Sequence, residues 1–319
     1  MLDKDKYDLF CKEVKEVPVF SRNWWLDAVC GSGNWDVVLV ERGEEIVAAM
    51  PFSLEKKFGL KVSKMPPLTQ TLGVWIKYPQ GQKYASRLSY EKEIFTEIIE
   101  KMPKFDIFEQ NFHYTVTNWL PFYWKGFSQT TRYTYIIEGL ADLDYVFSEF
   151  KSNVRNKIRK AEKIVVPSEK VTLEEFYALN RKTFHRQKKK VPYGIDLLRR
   201  MDDALRKRGR RRVFGAIDEE GRLHSALYLI WDDTAAYVHM VGEDPGLRSS
   251  GAGILLLWEA IKFTANTLKL EVFDFEGSML EPVEEVRRAF GARQTPYFTI
   301  SKIDLPLIFK MLYLLFRDK

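Results

Sequence analysis

Six consecutive residues, Arg248 to Gly253, have the order R-x-x-G-x-G between a stretch that predicts a strand and an apolar run that predicts a helix. Glycine lets a backbone approach a ligand closely, and the amides at a helix start suit a phosphate or pyrophosphate. An arginine side chain adds a bidentate phosphate donor. The predicted cofactor-binding residues are Arg248, Ser249, Ser250, Gly251, Ala252 and Gly253. The alternative is a turn whose glycines serve packing alone, because short glycine motifs also occur by chance.

Two carboxylates, Asp274 and Glu276, alternate with phenylalanines in the next predicted strand. Alternation places both carboxylates on one face of that strand, about 7 Å apart. Such a pair can share acid and base roles or hold an ammonium group. Glu276 stands at the carboxyl end of the strand, where ligands bind in open sheets, and is the predicted general base. In the alternative interpretation, Asp274 pairs with a basic neighbour and Glu276 caps the following turn.

His239 lies on the predicted strand before the glycine loop, with Tyr237 on the same face. Imidazole can act as a base near neutral pH, so His239 is a further catalytic candidate. The alternative is a half-buried side chain whose hydrogen bonds are satisfied. The other histidines and the two cysteines, Cys11 and Cys30, have no spacing typical of a metal site, and we expect no metal.

The basic residues concentrate in one segment. Residues 151–212 contain 21 basic and 7 acidic residues, a net charge of +14, whereas the whole chain has a net charge of +6. Such a segment can bind nucleic acid, an anionic lipid surface or a phosphorylated substrate, or it can be a solvated helical face. Its predicted substrate-binding residues are Arg155 and Arg159 on one helix face and His185 and Arg186 before a lysine run, with Tyr237 added from the strand.

The elements that must position these groups are clearest after residue 212. They read as three strands, the glycine loop, a helix, a strand, a helix and a last strand, which predicts a mixed sheet with helices on its faces. The length of 319 residues and a hydrophobic fraction of 45% predict a globular protein of two domains. No signal peptide or bilayer-spanning run is visible, so we expect a cytoplasmic protein without a transmembrane segment.

This order, with Arg248, Gly251 and Gly253 in the loop, resembles the core of GNAT-type acyl-CoA acyltransferases. Between residues 140 and 303 the resemblance extends to the FemAB-like branch, through SNVRNKIRKAEK, Phe184-His-Arg-Gln, FDFEGSM and Phe290-Gly-Ala. The resemblance implies an α/β fold of two GNAT-like domains, each a mixed, mostly antiparallel sheet flanked by helices. It assigns residues 1–138 to a degenerate first domain and residues 139–303 to the catalytic domain. An apolar helix over residues 304–319 follows, packed internally or docked on a membrane or a partner.

The resemblance also implies an N-acyltransferase that transfers an acyl group from acetyl-CoA or another acyl-CoA to an amine, on a cell-envelope or polysaccharide precursor. Tyr297 would then protonate the departing thiolate, although it stands on a strand rather than on the usual helix. One alternative is a Fem-like peptidyltransferase that uses aminoacyl-tRNA on a peptidoglycan precursor. The other is a binding protein that kept the fold without the chemistry. Expected partners are the donor and the acceptor, with tRNA and peripheral membrane contact as alternatives and no DNA.

Overall fold

A computed structural model of the protein describes residues 3–277 and 279–306. Its helices are α1 (Asp3–Glu13), α2 (Asn23–Cys30), α3 (Tyr84–Lys101), α4 (Leu120–Trp124), α5 (Leu143–Glu149), α6 (Ser152–Ala161), α7 (Leu173–Arg186), α8 (Ile195–Arg206), α9 (Ala252–Phe263) and α10 (Glu281–Ala289). Its strands are β1 (Trp35–Arg42), β2 (Glu45–Ser53), β3 (Glu55–Lys57), β4 (Leu60–Ser63), β5 (Trp75–Ile76), β6 (Ile107–Asn111), β7 (Ser128–Glu138), β8 (Val166–Ser168), β9 (Arg211–Ile217), β10 (Leu223–Trp231), β11 (Ala236–Glu243), β12 (Val272–Asp274) and β13 (Arg293–Ile303).

The chain forms two compact units. The first contains the described residues up to Arg132 together with those from Pro296 onward, and the second contains Tyr133–Thr295. The predicted domain boundaries at residues 138/139 and 303/304 stay predictions.

The first unit contains two groups of paired strands. β1, β2 and β5 pair antiparallel in that order. β3 and β4 form a hairpin, β4 runs parallel to β6, and β6 pairs antiparallel with β13. α3 and α4 contribute Phe95 and Phe122 to a buried cluster with residues of these strands, including Phe52 and Phe108.

The second unit contains the sheet order β7-β12-β11-β10-β9-β8, in which every neighbouring pair is antiparallel except β12 and β11. α9 lies in the core of this unit through Leu255, Leu256 and Ile261. α6 buries Val154, Ile158 and Ala161, as its spacing predicts. The predicted mixed, mostly antiparallel α/β class is confirmed.

Two local features of this sheet were not predicted. β11 pairs Val238 with Leu229 and Met240 with Tyr228, so His239 is an extra residue at a β-bulge. β12 ends at Asp274, and Glu276 follows with a φ of +46°. The expectation that Asp274 and Glu276 share one strand face is therefore wrong, because strand alternation ends before Glu276.

The predicted C-terminal helix over residues 304–319 lies almost entirely outside the described residues. Asp304, Leu305 and Pro306 are described and are not helical. In the part of the chain that the structure describes, no helix has the length and apolar content needed to cross a bilayer.

Candidate active site

The glycine loop joins β11 to α9. Arg248–Ser250 form one 3-10 turn, and Gly251 follows with a φ of +79°, a left-handed conformation that glycine adopts without steric penalty. The amides of Ser250 and Gly251 donate to carbonyl groups inside the loop. Within residues 3–277 and 279–306, the amides of Ser249 and Gly253 have no acceptor. Two amide donors beside the start of α9 are thus available to an anionic group.

The two glycines of the loop are also places of close approach. A Cβ atom at Gly251 would lie 3.2 Å from the carbonyl oxygen of Lys157 on α6. A Cβ atom at Gly253 would lie 3.3 Å from Glu243 Oε1 and from Ser225 Oγ. Lys160 on α6 donates to the carbonyl of Ser249 at 2.9 Å. The loop is therefore held between α6 and the end of β11.

A cleft of about 680 Å³ opens over this loop and extends to the ends of α7 and α10. One part of its lining is cationic, while Glu243 is its only carboxylate among the described residues. The cationic side chains are Lys157, Lys160, Arg186, Lys189, Arg248 and Arg287. The apolar part of the lining comes mainly from β11, α9 and α10. Such a cleft suits a ligand with both an anionic part and an apolar part.

The turn after β12 is held by a network of hydrogen bonds around a buried carboxyl group. Asp274 Oδ1 accepts from Thr134 Oγ1 and, at 2.8 Å, from the amide of Glu276. Thr134 Oγ1 in turn accepts from the amide of Gly277 at 2.9 Å. Burial raises the pKa of Asp274 to about 7, while the hydroxyl of Thr134 and the Glu276 amide oppose this rise. Asp274 therefore positions Glu276 through its main chain.

Glu276 and His239 meet at the end of this turn. Glu276 Oε1 lies 2.9 Å from His239 Nδ1, and the two side chains are only 8% and 3% exposed. The β-bulge in β11 positions the imidazole, and the left-handed backbone of Glu276 positions the carboxylate. Unusual backbone geometry at two contacting polar groups is typical of functional sites. A carboxylate that accepts from Nδ1–H fixes the tautomer and the orientation of the imidazole ring.

Arg287 on α10 links the cleft to these carboxyl groups. Its guanidinium lies 5.1 Å from the ring centre of Phe275 and lines the cleft. Burial lowers the pKa of Arg287 to about 10, and the charges of Glu276 and Asp274 oppose this change. Its buried Nε atom has no hydrogen-bond partner among the described residues. The lining of the cleft thus includes a desolvated positive charge.

The other predicted site residues lie elsewhere or are already engaged. Arg155 donates to the carbonyl of Ser148 at 2.7 Å and to that of Phe150, and so caps the C-terminal end of α5. Arg159 and His185 are exposed and outside the cleft lining. The buried Tyr237 donates to Asp232 at 3.0 Å.

Tyr297 belongs to the first unit, where Gln70 donates to its hydroxyl at 3.1 Å. Of the predicted substrate-binding residues, Arg186 lines the cleft.

Sequence reasoning missed Thr134, Glu243 and Arg287. Arg287 carried a signal that could have been used, because it is a basic residue on the short predicted helix that directly follows Asp274 and Glu276. Thr134 carried no signal, because its contact with Asp274 is 140 residues away in the sequence.

Residues 148–281 match the family model of an acetyltransferase (GNAT) domain. This part of the chain is therefore similar to GNAT-type acetyltransferase domains. This match spans the glycine loop, His239, Asp274 and Glu276, and it confirms the predicted enzyme class.

Solved structures match the fold over the full length. FemX matches with a TM-score of 0.69 and 14% identity, over 99% of this chain and 98% of that one. A tandem GNAT protein from the clavulanic acid biosynthesis pathway matches with a TM-score of 0.51 and 12% identity, over 95% and 94%. The C-terminal domain of a putative lysylphosphatidylglycerol synthetase from Agrobacterium fabrum matches with a TM-score of 0.53 and 10% identity, over 93% and 90%. No curated protein matches the sequence. The predicted resemblance to the two-domain, FemAB-like GNAT fold is confirmed.

Proposed function

We propose that this acyltransferase transfers an acyl group from acyl-CoA to the amine of a cell-envelope or polysaccharide precursor, and that it acts in the cytoplasm. The observation that supports this proposal best is the cleft over the glycine loop. Its cationic lining, the two available amides of Ser249 and Gly253, and its apolar lining match the three parts of an acyl-CoA molecule, which are phosphates, pyrophosphate and an apolar acyl-pantetheine arm.

The residues fit such a donor by chemistry and by space. The amides of Ser249 and Gly253 would hold the pyrophosphate, and Lys157, Lys160 or Arg186 would hold a terminal phosphate. Larger side chains at residues 251 and 253 would meet Lys157, Glu243 and Ser225, so the glycines keep the backbone accessible. When bound, the donor supplies a thioester carbonyl that an amine can attack.

The protein's own contribution is to remove a proton from the amine as the new C–N bond forms and the C–S bond breaks. We assign this role to Glu276 and His239, which contact each other at 2.9 Å. Asp274 fixes Glu276 through the hydrogen bond to its amide. Arg287 contributes positive charge to the lining of the cleft and would stabilise the negative charge that develops on the carbonyl oxygen. The departing thiolate must take up a proton, and the assignment of this step to Tyr297 stays a prediction.

Donor binding is tested by calorimetric titration with acetyl-CoA. In the double variant Arg186→Glu/Lys189→Glu, we expect affinity to fall by about 100-fold, because two cations of the cleft become anions. The double variant Lys188→Glu/Lys190→Glu is the matched control, because it makes the same charge change in the same loop outside the cleft lining. Absence of binding by any acyl-CoA to the wild-type protein would refute the acyl-CoA proposal.

The proton-transfer role is tested by turnover with an amine acceptor. Glu276→Gln should lower turnover by about 10²–10⁴-fold, which is the range for loss of a general base. Asp274→Asn makes the same chemical change two residues away and should cost less, because an amide oxygen can still accept from the Glu276 amide. Equal losses in the two variants would contradict the assignment of Glu276.

A Fem-like transferase that uses aminoacyl-tRNA is the second candidate. It is favoured by the likeness of the fold to FemX and by the net charge of +14 in residues 151–212. Lysine and arginine contacts with nucleic-acid phosphates make affinity fall steeply as salt concentration rises. Salt-sensitive tRNA binding without acetyl-CoA binding would select this candidate over the first.

A further inference from the structure

A β-hairpin in the first unit ends in an exposed phenylalanine surrounded by lysines. The pairing of Lys57 with Leu60 leaves Phe58 and Gly59 as a two-residue turn. The ring of Phe58 is 94% exposed. Single exposed apolar residues are common on protein surfaces, so the exposure of Phe58 alone does not indicate a binding site. The turn geometry and the neighbouring charges provide the further evidence.

The backbone of this turn does not favour phenylalanine. Phe58 has a φ of +53° and Gly59 a φ of +81°, which corresponds to a type I′ turn. Asn-Gly and Asp-Gly are the preferred sequences of such turns, because a bulky side chain is disfavoured at positive φ. Phe58 therefore makes the turn less stable without burying its ring in the fold. An unfavourable residue retained at a fully exposed tip indicates a role outside the folded unit.

The charges around the tip have one sign. Lys56, Lys57 and Lys61 are exposed, and none of the three has an ion pair within residues 3–277 and 279–306. Glu55 is the only acidic residue of the hairpin. The carboxylate of Asp106 accepts from the amide of Lys61 at 2.7 Å. A convex tip with one aromatic ring between free ammonium groups fits an anionic lipid surface, where the ring enters the interface and the lysines face lipid phosphates.

Hydrogen bonds connect the hairpin to the end of β13. The amide of Asp106 donates to the carbonyl of Lys61 on β4, and the amide of Asp304 donates to the carbonyl of Asp106. In the sequence that follows, every residue from 307 to 316 except Lys310 is apolar or aromatic. This stretch lies outside the described residues, and the membrane-docking role of the hairpin does not depend on it.

We propose that the hairpin tip around Phe58 docks this protein on an anionic membrane surface. The proposal is independent of the donor and acceptor of the acyl transfer. It predicts that the full-length protein co-sediments with phosphatidylcholine vesicles that contain phosphatidylglycerol, and that it binds vesicles of phosphatidylcholine alone much more weakly. Raising the salt concentration should release it, because screening weakens the attraction of the lysines.

Phe58→Asn is the decisive variant. Asn-Gly suits a type I′ turn, so we expect the variant to be at least as stable as the wild type. Its partitioning onto anionic vesicles should nevertheless be lower by a factor of about ten or more. Lys57→Glu should lower partitioning by a similar factor. Tyr84→Ala and Lys207→Glu, at an exposed aromatic and an exposed lysine elsewhere, are the controls and should bind as the wild type does.

Wild-type partitioning of Phe58→Asn, or equal binding to neutral and anionic vesicles, would overturn the proposal. Loss of binding in Leu312→Glu together with full binding in Phe58→Asn would also overturn it, because the C-terminal sequence would then be the docking element. Unchanged acetyl-CoA binding in Phe58→Asn would show that the loss is confined to the membrane contact.

Discussion

Replacement of Asp274 by Asn should change how the stability of this protein depends on pH. The carboxyl group of Asp274 is buried, and burial raises its pKa from the ordinary value of 3.8 to about 7. Below pH 3.8 the group is protonated in both the folded and the unfolded chain. Between pH 3.8 and 7 the unfolded chain loses this proton while the folded chain keeps it, so the free energy of unfolding falls as pH rises. Above pH 7 both states are ionised and the loss is complete.

The size of this effect follows from the two pKa values. One pH unit corresponds to about 1.4 kcal/mol, so the interval from 3.8 to 7 corresponds to about 4 kcal/mol. Asn resembles the neutral carboxyl group in size and does not titrate. We therefore expect the free energy of unfolding of Asp274→Asn, relative to that of the wild type, to increase by about 4 kcal/mol between pH 4 and pH 7.

The assay is urea unfolding of both proteins at several fixed pH values in this range. Only the difference between them is interpreted, because all other titrating groups are common to both. Asp196→Asn is the control: its side chain is 84% exposed, and a surface change of this kind should stay within about 0.5 kcal/mol at every pH. If the difference between Asp274→Asn and the wild type is the same at pH 4 and pH 7, Asp274 does not hold a proton in the folded state and the reasoning fails.

Two further predictions concern packing in the second unit. Gly277→Ala should destabilise the protein by more than about 2 kcal/mol, because its Cβ would lie 1.9 Å from the carbonyl oxygen of Tyr133. Gly33→Ala, with open space around it, is the control and should be nearly neutral. Equal chemical denaturation midpoints of the two variants would contradict this prediction. Asp202→Ala should lower the free energy of unfolding by about 3 kcal/mol, because the buried Asp202 accepts from Tyr228 at 2.6 Å and pairs with Arg211 at 2.9 Å. Asp203→Ala, at an exposed neighbour, is the control. Similar losses of stability in the two variants would rule out the buried network as the cause.

The sequence predicted the helices and strands well wherever local signals exist. The capping box of Thr172 and Glu175 predicts the start of α7, and both of its hydrogen bonds are present. The apolar positions of α3 predict a helix over 84–101, which is its observed extent. The short strands β3, β5 and β8 were missed because each has two or three residues and depends on a partner strand distant in sequence.

The candidate site was predicted less completely because its geometry depends on exceptions to regular periodicity. A strand that alternated through Glu276 would have placed both carboxylates on one face. The β-bulge at His239 and the positive φ of Glu276 instead bring these two side chains together. Neither exception has a local sequence signal, since both depend on contacts that form only in the folded unit.

The backbone of Glu276 connects stability to function in this protein. A glutamate at a φ of +46° is unfavourable by itself, and the hydrogen bonds from Thr134 and from the amide of Glu276 to Asp274 oppose that cost. Gly277 lets the turn lie directly against the main chain of Tyr133 and Thr134, where no larger residue fits. The hydroxyl of Thr134 and the amide of Glu276 donate to Asp274 and so favour its ionised form, which is why they oppose the rise of its pKa. Ionisation of Asp274 should therefore lower the free energy of unfolding between pH 3.8 and 7 without loosening the turn that holds Glu276 against His239, and this pH dependence should be absent from Asp274→Asn.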